Sequence, residues 1–348
     1  MRILIILLSL SFFNSLTAQD EHFSQFFALP MHMNPALTGA YEGTYRMTAI
    51  YRDQWSNNID TPYKTFAAGG DTRFKMNFGK RSTNDHFGLG LFFVSDRVAE
   101  FQTNTTKVSG YFSYHKQLNE LNNSFLSVGT KFGIIQRNIN YDNIFFQDQF
   151  HQIDRFDNPT AENLPPNNLG VADISVGINY YFNHEETNFY AGIAAHHITQ
   201  PNISYFNREE GINPNIDVTS QLSSRIAAHF SIDKKLTYNW YVQPRIVYQF
   251  QQEDNQLDLG TNVEYKFRDK EMSLIFGTWI TYLNDLNGGR FDQFTPLLGI
   301  RQGLFIFGFS YDIPLQDTFQ SELGLNSFEF SIRFSGIHSN DDRFCPTF

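Results

Sequence analysis

The chain has 348 residues, 37 of them Phe and 17 Tyr, with 41% hydrophobic and 18% charged residues, a balance that argues against disorder. Its single cysteine, Cys345, excludes a disulfide framework or a multi-cysteine zinc site, and a formal charge of −10 with pI about 5.4 leaves no basic surface of nucleic-acid-binding scale. Mean hydropathy is −0.36, and beyond the N-terminus there is no apolar run of roughly 18 residues, which excludes a multi-helix membrane protein.

Residues 1–18 read as an export signal. Arg2 supplies the positive start, residues 3–13 an apolar stretch too short to cross a bilayer, and Leu16-Thr17-Ala18 the small residues before a cut. Cleavage between Ala18 and Gln19 would remove Arg2, taking Lys+Arg from 26 to 25 against 36 acids and the net charge to −11. The absence of Cys at the cut argues against a lipoprotein anchor. Residues 19–42 form a separate segment, rich in aromatic and polar residues, placed either in the periplasm or against a lumen.

From residue 43 onward, two-residue alternation dominates. In 173–182, Ile174, Val176, Ile178, Tyr180 and Phe182 share one face, while Ser175, Gly177, Asn179 and Tyr181 share the other. In 257–267, Leu257, Leu259, Val263, Tyr265 and Phe267 oppose Asp258, Gly260, Asn262, Glu264 and Lys266. Such alternation is a strand signal. Roughly fourteen segments of about 9–12 residues show it, each long enough for a tilted strand to cross a bilayer. They lie near 43–52, 63–72, 85–95, 103–115, 124–136, 172–182, 188–197, 222–231, 239–250, 256–267, 272–283, 293–301, 303–312 and 326–335.

Connections after odd strands average roughly 15 residues and those after even strands roughly 6, the asymmetry of an outer-membrane barrel with long extracellular loops and short periplasmic turns. The predicted fold is therefore all-β: one transmembrane antiparallel barrel of about 14 strands over 43–335, with a periplasmic tail at 336–348. Inward Gly88, Gly90, Gly129, Gly133, Gly177, Gly192, Gly260 and Gly277 suit close packing inside a curved wall. Tyr45 and Tyr51, Tyr111 and Tyr114, Tyr180 to Phe182, Trp240 and Tyr241, and Tyr265 and Phe267 are expected in interfacial girdles.

No catalytic, cofactor or metal constellation is legible. His196 and His197 are adjacent on a predicted strand and are expected on opposite faces. His22 and His32 have no ligand cluster around them. Asp142, Asp148, Asp154, Asp157 and Glu162 match no calcium-loop pattern. Gly88-Leu89-Gly90 precedes no helix start, and no serine sits in a nucleophile-elbow context. Inward Arg46, Arg52, Lys131, Arg225, Arg245, Asp258, Glu264, Lys266, Glu329 and Arg333 mix both signs, favouring a satisfied lumenal network over a selective pore.

Three blocks near the start are not explained by barrel physics. They are Gln19-Asp20-Glu21-His22-Phe23-Ser24-Gln25-Phe26-Phe27, then Asn34-Pro35-Ala36-Leu37-Thr38-Gly39, then Tyr51-Arg52-Asp53-Gln54-Trp55. With His197-Ile198-Thr199-Gln200-Pro201, Gly308-Phe309-Ser310-Tyr311-Asp312, the Glu329 strand and terminal Cys345-Pro346-Thr347-Phe348, this resembles the PorP/SprF outer-membrane proteins of the type IX secretion and gliding machinery of Bacteroidota. Glu21 departs from that pattern, where Pro is commoner.

The resemblance implies a non-enzymatic barrel without cofactors, located in outer-membrane lipid. Its implied partners are the secretion machinery, a periplasmic peptidoglycan-binding lipoprotein, and cargo carrying a C-terminal sorting domain, such as a large gliding adhesin. The motif residues His22, Phe23, Ser24, Gln25, Phe26, Asn34, Pro35, Gly39, Tyr51, Arg52, Gln54, Trp55, Pro201, Tyr311 and Asp312, with Gln19, become candidates for partner docking. The competing expectation is a passive channel or small-solute transporter.

Overall fold

The computed structural model describes residues 20–336 except 42, 56–61, 76–84, 99–102, 120–122, 143, 151–155, 157, 163, 206–219, 269, 286–287 and 316–325. The proposed signal with its Ala18–Gln19 cut, and the proposed tail with Cys345, lie outside the described residues. Fourteen strands form a closed antiparallel barrel in which every strand pairs with its sequence neighbours, and the last closes on the first. They are β1 Tyr45–Gln54, β2 Tyr63–Lys75, β3 His86–Val98, β4 Thr103–Asn119, β5 Ser124–Ile139, β6 Asn168–His184, β7 Thr187–His196, β8 Arg225–Lys235, β9 Trp240–Gln251, β10 Asp254–Lys266, β11 Met272–Asp285, β12 Gly288–Gln302, β13 Phe305–Pro314 and β14 Ser327–Gly336. All fourteen predicted segments are strands.

The strands run from 10 to 17 residues and exceed the expected span at their long end, because pairing continues beyond the bilayer thickness. The loop asymmetry is also more concentrated than expected. It rests mainly on 140–167 and 197–224, while 252–253, at the same end, is a two-residue turn. With an even strand number, both barrel termini lie at the periplasmic end.

Alternation divides the wall as lipid and lumen require. Leu91 (70% exposed), Ile134, Leu298 and Phe132 face outward, whereas Ser175, Asn179, Asp258, Asn262 and Glu329 face inward. The girdle expectation fails for Tyr111 and Tyr181, which are buried. Tyr111 packs in the lumen with Phe92, and Tyr181 with Phe125 and Tyr190. Their register parity points them inward, and parity overrides the general preference of tyrosine for interfaces.

The lumen is filled by residues 20–41. This segment contains 3-10 turns at Phe26–Ala28 and Pro35–Leu37 and one helical turn, α1, at Pro30–Met33. A segment this short cannot hold such turns alone, so packing fixes them. Phe23, Leu29 and Met31 meet Ile50, Ala67, Phe92 and Val94 on one wall. Phe26, Met33, Leu37 and Ala40 meet Val247 and Trp279 on the other. Phe26 and Phe27 both contact the Trp279 ring, edge-on at 4.9 Å and stacked at 5.7 Å respectively.

Inward glycines make this fit possible. A Cβ on Gly129 would overlap the Pro35 carbonyl, and one on Gly88 would overlap that of Thr38. Gly90, Gly177 and Gly192 likewise face Met31 or Asn34, whereas Gly133, Gly260 and Gly277 face other residues of the wall. Gly129→Val is expected to destabilise the barrel by about 1–3 kcal/mol through overpacking. Gly170→Val, where a Cβ meets nothing within 4 Å, should leave the urea midpoint of the micelle-embedded protein unchanged.

Candidate functional site

Four of the places that hold the inserted segment carry most of its motif residues, and the first lies on the barrel's closing seam. Arg52 of β1 and Glu329 of β14 are direct register partners across that seam. Glu329 is 0% exposed. Its two carboxylate oxygens accept the backbone N–H of Ser24 and of Gln25, each at 2.8 Å. Arg52 Nη1 donates to Glu329 at 2.5 Å and to Ser24 Oγ at 3.2 Å, and its Nη2 lies 3.1 Å from Asp312.

The Gln25 side chain completes the joint. Its Nε2 donates to Ser310 Oγ (3.0 Å) and the Glu329 carbonyl (3.1 Å), and its Oε1 accepts from Ser331 Oγ (2.7 Å). With its amide oxygen turned inward, Gln54 accepts from Arg52 at 2.9 and 3.1 Å. A buried carboxylate satisfied by a guanidinium and two amides is a strong, directional anchor.

Asn34 is the second hold. Its side-chain oxygen accepts from Ala36 N–H at 2.9 Å, capping the Pro35 turn, and its Nδ2 donates to the Ile178 carbonyl at 3.1 Å. Pro35 suits the first position of that turn because it has no N–H to leave unpaired. Third, near the periplasmic end, Asp71 of β2 accepts from Gly39 N–H (2.7 Å) and is gripped by Arg46 at 2.9 and 2.7 Å. Gly39 has φ +75, the left-handed region glycine enters freely.

Fourth, at the outer end of the lumen, Asp20 meets Lys107 at 2.7 Å, His197 at 2.5 Å and Arg225 at 3.6 Å. Glu21 also takes Lys107, at 2.6 Å. His197 bridges onward to Asp173 at 2.9 Å. Here alternation misled: His196 and His197 are both 2% exposed and both face the interior. His197 has φ +54 and leaves the strand, so its side chain no longer obeys the two-residue period. Burial opposes a charge on His197, but Asp20 and Asp173 outweigh it and hold its pKa above the ordinary imidazole value.

The remaining motif residues divide between lumen, seam and rim. His22 lies within hydrogen-bond reach of Gln256. Phe23 and Phe26 belong to the two apolar contacts already described. Tyr51 donates to Asp53 at 3.2 Å, and the Trp55 ring meets Tyr63 edge-on at 4.9 Å. Tyr311 pairs with Phe328, and Asp312 accepts from Thr295 Oγ1 at 2.7 Å. Pro201 is buried within the 197–224 connection, where its carbonyl accepts from Leu222 N–H at 3.0 Å. Gln19 lies outside the described residues.

Sequence reasoning did not find Glu329, Asp71 or Lys107 as partners of the N-terminal segment. The signal available was parity: each is a charge on the inward face of a strand. Among the described residues, no group of three or more His, Cys, Asp or Glu could hold a metal.

Residues 15–334 match the family described as type IX secretion system membrane protein PorP/SprF. The chain belongs to this family. No curated protein matches it. Among solved structures it is similar to a Pseudomonas aeruginosa FadL homologue, at 12% identity and TM-score 0.53, with 86% of this chain and 91% of that chain covered. It is also similar to the CymD monoaromatic hydrocarbon channel, at 9% identity and TM-score 0.51, covering 89% and 93%. At such identity these likenesses concern the fold. A closed 14-strand barrel in a secretion membrane family is an outer-membrane protein.

Two outcomes test the anchors. Glu329→Ala leaves Arg52 and two amides short of their acceptor and should cost about 3–5 kcal/mol, read as a lower urea midpoint with faster proteolysis within 20–41. Lys116→Gln, which breaks an exposed pair with Asp85, should shift neither. By NMR titration, His197 should have a pKa above that of a free imidazole, falling in Asp20→Asn. Because that pKa is raised, the contact's stabilisation is complete below the ordinary imidazole value and lost as pH rises through the folded one.

Proposed function

We propose that this PorP/SprF protein is a non-enzymatic, internally plugged barrel that serves type IX secretion through protein contacts, assisting export or surface attachment of a specific secreted protein. The observation that carries this reading is the filled lumen. Residues 20–41 reach both walls and are fixed by buried hydrogen bonds at four places. A conducting pore would need that space open. The motif residues then act mainly by holding the segment, and partner contacts fall to the surfaces outside it.

The long extracellular connection 140–167 supports the reading. Phe145, Phe150 and Phe156 are exposed there and contact one another, with centroids 5.5 and 5.1 Å apart. A cluster of exposed aromatic rings on a loop carried by a rigid wall is suited to holding a protein. A large surface adhesin with a C-terminal sorting domain is the cargo class that fits the family. The secretion machinery, with a peptidoglycan-binding lipoprotein, would meet the periplasmic turns.

Deleting the gene should remove one large protein, or a few, from the cell-surface fraction; an unchanged surface proteome would overturn the proposal. In planar bilayers the intact protein should be electrically silent, whereas a variant lacking residues 20–33 should conduct. Steady open-pore current from the intact protein would instead favour a passive channel.

A further inference from the structure

Below the inserted segment, on the periplasmic side, the lumen keeps an unfilled vestibule of about 540 Å³. It is open, and its floor includes Phe27 of the plug. Its wall comes from the periplasmic ends of β7 to β14 and of β1, which places it where a soluble periplasmic chain can enter.

The charge of this vestibule is not balanced. Arg301 is bound by Glu264 at 2.8 and 3.0 Å, and Lys235 by Glu186 at 2.8 Å. Arg46 is committed to Asp71. Arg245 donates to Gln243 at 3.0 Å, lies 5.2 Å over the Phe27 ring and has as its nearest charge of opposite sign the lining carboxylate Asp233, which accepts from Gln243 at 3.2 Å. Lys266 and Arg333 also line the space, and neither has an ion-pair partner among the described residues. Satisfied networks elsewhere in this lumen neutralise buried cations directly, so two unmatched ones on an open cavity mark a place for carboxylates from outside.

A second cavity, of about 390 Å³, adjoins the first, sharing Lys235, Tyr241 and Lys266. It adds Arg268, Lys270 and Tyr238 from the turns 236–239 and 267–271, against a single carboxylate, Glu271, with Arg268 5.3 Å over the Tyr238 ring. A basic, aromatic-backed track therefore runs from Arg333 inside the lumen to Arg268 on the periplasmic rim. This arrangement fits a chain bearing several carboxylates better than a single small anion, since the cations are spread along a path instead of converging on one point.

We propose that the periplasmic vestibule is a docking site for an acidic, extended peptide segment of a partner protein, with Lys266 and Arg333 as its principal charge contacts. This deepens the partner-binding reading above, and it is tested without reference to secretion. The full-length barrel in detergent micelles is titrated into a fluorescein-labelled decapeptide of alternating Glu and Gly, with a Gln-for-Glu peptide as control, and anisotropy is recorded.

Binding of the acidic peptide only, weakened about tenfold between low and near-physiological salt, is expected. Arg333→Gln and Lys266→Gln should each weaken it about fivefold or more. Lys266 is exposed at a strand end, so Lys266→Gln keeps the test decisive if Arg333→Gln misfolds, with heat-modifiable migration reporting the fold. Equal binding of the neutral peptide, no binding at all, or unchanged binding by the Lys266 variant would overturn the proposal. So would equal competition by phosphatidylglycerol vesicles, which would assign the basic track to lipid, or by inorganic phosphate, which would assign it to small anions. A silent barrel that fails this assay would refute the vestibule alone, whereas a conducting barrel or an unchanged surface proteome would refute the functional reading.

Discussion

A carboxylate sealed inside a barrel has no water to solvate it and must be satisfied by protein. Glu329 meets that constraint by joining three parts of the chain: Arg52 across the closing seam, Asp312 beside it through Arg52, and the backbone amides of Ser24 and Gln25. Removing any one partner leaves charge or amide uncompensated in a dry place. The closure of β1 on β14 and the docking of the N-terminal segment are thus one interaction, and the rest of the lumen is organised around it.

From that joint the segment runs in both directions with little freedom. Toward the outer end it reaches the cations Lys107 and Arg225. Toward the periplasm it passes Asn34 and Gly39 before Thr44 donates to the Gly336 carbonyl at 2.8 Å and enters the wall. The result is a two-sided lumen. The outer and central parts are filled, and Arg52, Lys107 and Lys131 there meet carboxylates directly, while the periplasmic part is open and carries cations left over. On the proposed reading, such asymmetry serves a protein that meets different partners at its two faces.

The strands were legible because lipid and lumen impose opposite demands on alternate residues, and sequences such as Leu257–Lys266 record those demands directly. Reading failed where that alternation stops governing. His197 turns inward through a left-handed backbone that parity does not encode, and Tyr111 obeys parity against its residue-type preference. The inward glycines were visible as a pattern, but their reason was not, because Gly129 and Pro35 are distant in sequence and meet only when the barrel closes.

The sequence by itself determined the all-β architecture, a strand number of about 14, the face on which most strand side chains lie and the family, since these rest on local periodicity and short motifs. It also marked residues 19–39 as something other than wall. Only the tertiary structure decided that this segment fills the lumen, that Arg52 and Glu329 face each other, and that Lys266 and Arg333 remain unmatched. Those facts depend on closing the chain into a ring. Closure brings positions some 277 residues apart into contact, and charge balance in a closed space is a property of the whole wall, which no local pattern contains.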